Sequence, residues 1–211
     1  DRFMSQHYDV MTSQSVRAAA QQNRVLRNTY LLLALSMVPT VIGALIGVKM
    51  RFSFFAGSPG VSFLMFMGVA FAFMWGIERT KNSGLGVLLL LGFTFFMGVM
   101  LSRLVGMVLG MGNGEALVMS AMGGTAGVFA VMAMLSSVIK RDLSGMGRWL
   151  SVGAVIIFVG FLACALLSVF FSGPALPLLM AMCGLSIVVF SLYMLYDIKQ
   201  IIDGGETNYV M

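Results

Sequence analysis

The chain has 211 residues, of which 59% are hydrophobic and only 10% charged, with a mean hydropathy of +0.97 and a formal net charge of +5. A soluble domain carries about 25% charged residues, because polar groups must cover its surface; this chain has too few, so its solvent is largely lipid. The positive excess then reads as basic loops on one side of a membrane rather than as a nucleic-acid interface.

Residues 1–28 are polar, with Arg2, Arg17, Arg24 and Arg27 spread through them. No apolar stretch near the start marks a signal peptide. This segment is expected to form at most a short, marginal helix and to behave as a mobile cytosolic tail. Its His7 is the single histidine of the chain, which removes most metal centres and histidine-dependent triads.

Six apolar runs follow, at 29–48, 60–78, 84–109, 116–139, 149–171 and 175–202. Each reaches the roughly 20 residues needed to cross about 30 Å of hydrocarbon. The expected fold class is therefore an all-α polytopic membrane protein with six transmembrane helices. Short turns join the runs, among them Gly57-Ser58-Pro59-Gly60, residues 110–114 and Ser172-Gly173-Pro174. No linker separates two soluble domains, so the chain divides into a tail (1–28), a bundle (29–202) and a closing polar segment (203–211).

Orientation follows from the basic residues. With the tail inside, the inner segments hold Arg2, Arg17, Arg24, Arg27, Arg79, Lys81, Lys140, Arg141, Arg148 and Lys199. The outer segments hold Lys49 and Arg51, and the imbalance predicts a cytoplasmic N-terminus. Arg103, on the third run, is expected to snorkel toward the outer interface.

Small residues recur at four-residue spacing in Gly43/Gly47, Gly106/Gly110 and Gly123/Gly127. Such pairs let helix backbones approach closely and predict packing within the bundle rather than self-association. Cys164 and Cys183 lie in apolar runs with no CxxC spacing, and are expected to be small core residues. There is no Walker A loop, HExxH, GxSxG or dinucleotide fingerprint, so neither an enzyme nor a bound metal or cofactor is expected.

The sixth run carries the most informative polar group. Tyr193, Tyr196, Asp197 and Gln200 fall at i, i+3, i+4 and i+7 and share one helical face. Asp197 is the carboxylate set within an apolar run, away from its ends. An intramembrane acid is costly unless protonated or paired, so it either marks a functional site or sits solvated at the interface. Arg79, beside Glu78 and Lys81, is either an interfacial anchor or a partner that reaches across to Asp197.

Four stretches resemble the Bax inhibitor-1 superfamily. They are Val25-Leu26-Arg27-Asn28-Thr29-Tyr30; Gly123-Gly124-Thr125; Lys140-Arg141-Asp142-Leu143-Ser144; and Leu195-Tyr196-Asp197 through Ile201-Ile202 into Gly204-Gly205-Glu206-Thr207-Asn208-Tyr209. The first and last look most like the bacterial YccA-like branch. The resemblance implies a seven-helix fold with a central last helix. Residues 203–211 would lead into that helix, which is missing from this sequence. It also implies an inner-membrane protein that modulates the membrane-anchored AAA protease FtsH and is itself a poorly degraded substrate. The tail with Arg17, Arg24 and Arg27 would then be what the protease grips. The alternative it implies is a pH-sensitive Ca²⁺ leak channel, with Asp197 as the gating carboxylate and Arg79, Tyr193, Tyr196 and Gln200 around it. Expected partners are thus FtsH, the lipid bilayer and, in the alternative, Ca²⁺. A metabolite transporter is disfavoured by the lack of an internal repeat or broken helices.

Overall fold

In lipid every backbone N–H and C=O must be satisfied within the chain, and the helix does this segment by segment. The computed structural model describes residues 2–50, 59–170, 176–204 and 208–210, and these form six helices. They are α1 (Arg2–Lys49), α2 (Pro59–Thr80), α3 (Gly84–Leu109), α4 (Gly114–Val138), α5 (Met146–Phe170) and α6 (Leu176–Ile202). Among the described residues α1, α3, α4, α5 and α6 are long and apolar enough to cross a membrane. Helix α2 has 22 residues, which at 1.5 Å each is roughly 33 Å. From α2 onward the helix ends fall within three residues of the apolar runs, the widest gap being 149 against Met146. Ser172-Gly173-Pro174 and the Gly57-Ser58 half of the first turn lie outside the described residues.

The N-terminal expectation is corrected. Residues 2–28 are helical and continuous with the first span, in a single helix of 48 residues. The physical reason is composition and nucleation together. No Gly or Pro interrupts the chain before Pro39, and Ala18-Ala19-Ala20 lies in the stretch. An isolated helix of this polarity would be marginal, but one that extends an existing helix has no nucleus to form. Met4 and every residue from Gln6 to Gln21 are exposed, so this half of α1 stands clear of the bundle.

Helix α1 packs most extensively on α3. A Cβ on Gly43 would collide with the Phe95 carbonyl, and one on Gly47 with Ser102. From the other side, a Cβ on Gly98 would collide with the Thr40 carbonyl. The Gly43/Gly47 pair therefore does pack within the bundle, at backbone-to-backbone distance. Hydroxyls buried in this seam turn back onto their own helix: Ser102 donates to the Val99 carbonyl at 2.5 Å, and Thr40 to the Ser36 carbonyl at 2.8 Å. Helix α2 meets α3 through aromatic rings, Phe73 lying 5.7 Å from Phe93 and 5.8 Å from Phe96 between centroids.

Helix α6 packs on α4, α5 and α1, and α3 on α4, which closes the bundle. The other two glycine pairs do not behave as expected. Among the described residues nothing approaches the Cβ positions of Gly106, Gly123 or Gly127, and Gly110 meets only carbonyls of the preceding turn of its own helix. Their four-residue spacing is real, but these faces are not turned to a neighbouring helix among the described residues. Cys164 is a core residue as expected, whereas Cys183 is exposed. Arg103 is exposed on α3.

Candidate functional site at the charged end of helix α6

One end of the bundle brings together polar side chains from several helices and turns. Gln22 of α1 lies against Gly204, whose φ of +78° makes the left-handed turn that ends α6. Asn208 donates to the Lys81 carbonyl at 3.2 Å and to Asn82 Oδ1 at 2.9 Å, in the turn between α2 and α3. The start of α5 meets α6 through Gly147, where an added Cβ would lie 2.6 Å from the Tyr196 hydroxyl. Gln22 of α1, the 81–83 turn, the 140–148 loop, residues 203–204 and residues 208–210 thus share one end. That is the grouping on which the Lys/Arg count depended.

The stripe proposed on α6 is only partly as expected. Tyr193 and Tyr196 are half-buried against α5, and the Tyr193 hydroxyl donates to Ser151 Oγ at 3.4 Å. Gln200 is half-buried, but Asp197 is exposed. The face of α6 that enters the core carries Val189, Leu195, Ile198, Lys199 and Ile201 instead. Asp197 therefore does not point into the described bundle. Arg79 does not reach it either: α2 packs on α3, and the Arg79 guanidinium sits 4.4 Å above the Trp75 ring of its own helix.

The charge that is buried is Lys199, only 6% exposed. Its Nζ donates to Asp203 Oδ1 at 2.9 Å, one turn further along the chain. A buried ammonium without a partner would be costly, and Lys199 finds that partner in Asp203. Its positive field also reaches Asp142 in the loop between α4 and α5. The Asp142 carboxyl lies below the ordinary aspartate range chiefly because it accepts the Ser144 backbone N–H at 2.9 Å, then the Ser144 hydroxyl at 2.9 Å, with a further contribution from Lys199. The i, i+4 spacing of Lys199 and Asp203 was visible in the sequence, but Lys199 read as one more cation at the interface. The burial that distinguishes it depends on which face of α6 meets α1, α4 and α5.

The tail arginines Arg17, Arg24 and Arg27 are all exposed on α1. Among the described residues no group of three His, Cys, Asp or Glu side chains could hold a metal ion.

The family model for the inhibitor of apoptosis-promoting Bax1 matches residues 22–211, nearly the whole of this bundle. The chain belongs to the Bax inhibitor-1 family. Relatives of this Bax inhibitor-1 protein include an uncharacterized protein of Neisseria meningitidis serogroup A, 34% identical over 192 residues, covering 90% of this chain and 82% of the relative. The Escherichia coli K12 protein named modulator of FtsH protease YccA is 31% identical over 210 residues, covering 100% of this chain and 87% of the relative. A Campylobacter jejuni protein is 31% identical over 183 residues, covering 85% and 75% of the two chains. No solved structure matches. As a member of this family the chain is a multi-pass membrane protein, and its charged end is the part of the bundle where chemistry or recognition has groups to use.

Proposed function

We propose that this protein binds and modulates the membrane-anchored protease FtsH in the bacterial inner membrane, and is itself a slowly degraded substrate. The observation that carries this reading is the full-length similarity to the protein named modulator of FtsH protease YccA. The charged end, with the tail, would face the cytoplasm by the positive-inside rule.

The architecture gives the reading a mechanism. The exposed half of α1 is the part of the chain that an ATP-driven protease can seize. It continues without a break into the helix that packs backbone-to-backbone on α3. A pull on the tail is therefore delivered directly to the Gly43, Gly47 and Gly98 seam, which must part before extraction begins. A substrate that is easily gripped and hard to extract occupies the protease and delays other substrates.

Deletion of residues 2–20 removes the handle while sparing Gln22 and its contact with Gly204. In cells with active FtsH the deleted form should persist longer than the parent, and turnover of other membrane substrates should slow further. Equal half-lives with and without residues 2–20 would end this reading.

The Ca²⁺ leak is the second reading, and the exposed carboxylate of Asp197 at the charged end favours it. Against it stands the buried ammonium of Lys199 two residues on, which repels a divalent cation from the α6 core face.

A further inference from the structure

We propose that the outward face of α2 binds an anionic phospholipid of the bilayer, with the lipid phosphate on Arg79 beside the Trp75 ring. Helix α2 packs on α3, and its inner side carries Ala70, Phe73 and Ile77. Trp75 lies two residues from Ile77, roughly 200° around the axis, and is exposed. Leu64, Gly68, Phe71, Trp75 and Arg79 follow one another at steps of three or four, which places them in one outward stripe. All five are exposed, and no described residue lies within 4 Å of a Cβ on Gly68.

The stripe has the order of a lipid. Leu64 and Phe71 are apolar, and the notch at Gly68 between them leaves room for an acyl chain. Trp75 follows with an amphipathic ring suited to headgroup level, and Arg79 closes the stripe at the charged end. From Leu64 to Trp75 the helix rises roughly 17 Å, close to the roughly 15 Å of hydrocarbon in one leaflet. Trp149 marks the same level from a different helix. It too is exposed, three residues inside the start of α5, while Trp75 is five residues inside the end of α2. Both rings thus lie within roughly 8 Å of helix ends that lead into the 81–83 turn and the 140–148 loop, at the charged end.

Arg79 is preset for an anion. Its guanidinium sits 4.4 Å above the Trp75 ring, which covers one planar face. The N–H groups lie in the guanidinium plane, so the outer edge stays open for two oxygens of a phosphate diester. Among the described residues no carboxylate pairs with Arg79, the exposed Glu78 beside it included. Five cations (Arg79, Lys81, Lys140, Arg141 and Arg148) against two acids (Glu78 and Asp142) occupy 78–83 and 140–148. That balance favours a headgroup of net negative charge over a zwitterionic one. The site rests on the bundle lying in a membrane and is independent of the protease reading.

Fluorescence quenching in lipid nanodiscs tests it, on the full chain carrying Trp149→Phe so that Trp75 alone reports. Nanodiscs of phosphatidylcholine are doped with phosphatidylglycerol or phosphatidylcholine brominated near the top of the acyl chains. Brominated phosphatidylglycerol should reach half-maximal quenching at about a fivefold lower mole fraction than brominated phosphatidylcholine. Arg79→Gln should merge the two curves, whereas Lys81→Gln, which removes an equal charge away from the ring, should leave them apart. Coincident curves in the parent would overturn the proposal, as would curves that stay apart in Arg79→Gln. Equal losses in Arg79→Gln and Lys81→Gln would reduce the effect to diffuse charge and overturn the site. Inorganic phosphate, compared with chloride at the same ionic strength, should not merge the curves; merging would mean that Arg79 takes phosphate from solution and would overturn the lipid assignment.

Discussion

Two residues of α6 separated by a single position exchange the roles that their chemistry suggests. Asp197 is an acid within an apolar run yet is exposed, and Lys199 reads as an interfacial cation yet is buried. A helix advances about 100° per residue, so two positions move a side chain roughly 200° around the axis, from one face to the opposite one. The same sensitivity applies to the glycines. Gly98→Val should destabilise the bundle by about 3 kcal/mol, because the added atoms meet the Thr40 backbone and backbone cannot give way. Gly123→Val should be close to neutral, since no described residue lies within 4 Å of its Cβ position. Thermal unfolding of the two variants in one detergent gives the comparison. For Asp142 the sign is fixed by its lowered pKa. An aspartate depressed in the folded state stabilises the loop above the unfolded pKa and ceases to do so as pH falls through the folded value. Order in the 140–148 loop should hold from about pH 8 to about pH 5 and fail only below about pH 4. The Ser144 amide shift in an NMR titration reports it.

At the scale of elements, α1 differs most from expectation, and its two halves have different origins of stability. From Gln22 to Gly47 the helix is held by burial of Val25, Leu32, Ser36, Gly43 and Gly47 on one face. From Arg2 to Gln21 it is held by propensity and by continuity with the half behind it. A proline in the exposed half should therefore cost about 3 kcal/mol of local helix and leave the bundle untouched. Ala19→Pro should lower the far-ultraviolet helical signal by the length of the segment before it, with no change in the midpoint of thermal unfolding. A lowered midpoint would mean that the exposed half also braces the bundle. Under the protease reading the same variant should be seized more readily, since less helix must be undone at the start.

For the whole molecule, one end gathers Gln22, Asn82, Asp142, Gly147, Lys199 and Asn208. If this end faces the cytoplasm, single cysteines in the 79–83 and 140–148 segments should resist an impermeant thiol reagent in intact cells. They should react once the membrane is opened. Labelling of the 140–148 loop from outside would reverse the orientation. The leak reading belongs at the same scale, because conduction is a property of the assembled bundle. In liposomes loaded with a Ca²⁺ dye, a proton-gated leak requires that Asp197→Asn lose most of its pH dependence. Under the protease reading, parent and variant should both match empty liposomes.

Much of the fold was legible along the chain. Lipid imposes a length and a composition on each span, and both are one-dimensional quantities, so the runs at 84–109 and 175–202 could be read almost to the residue. The grouping of loops at one end followed from the order of the spans, and the Gly43/Gly47 seam from four-residue spacing. What the sequence could not supply was the rotation of each helix about its own axis. In water an amphipathic pattern reveals that rotation; in lipid the outward and inward faces are both apolar, so the pattern is nearly silent. That is why Gly123/Gly127 and Gly43/Gly47 look alike on paper, yet among the described residues the second pair is packed and the first is not. It is also why the choice between Asp197 and Lys199 had to wait for the packing of α6 on α1, α4 and α5.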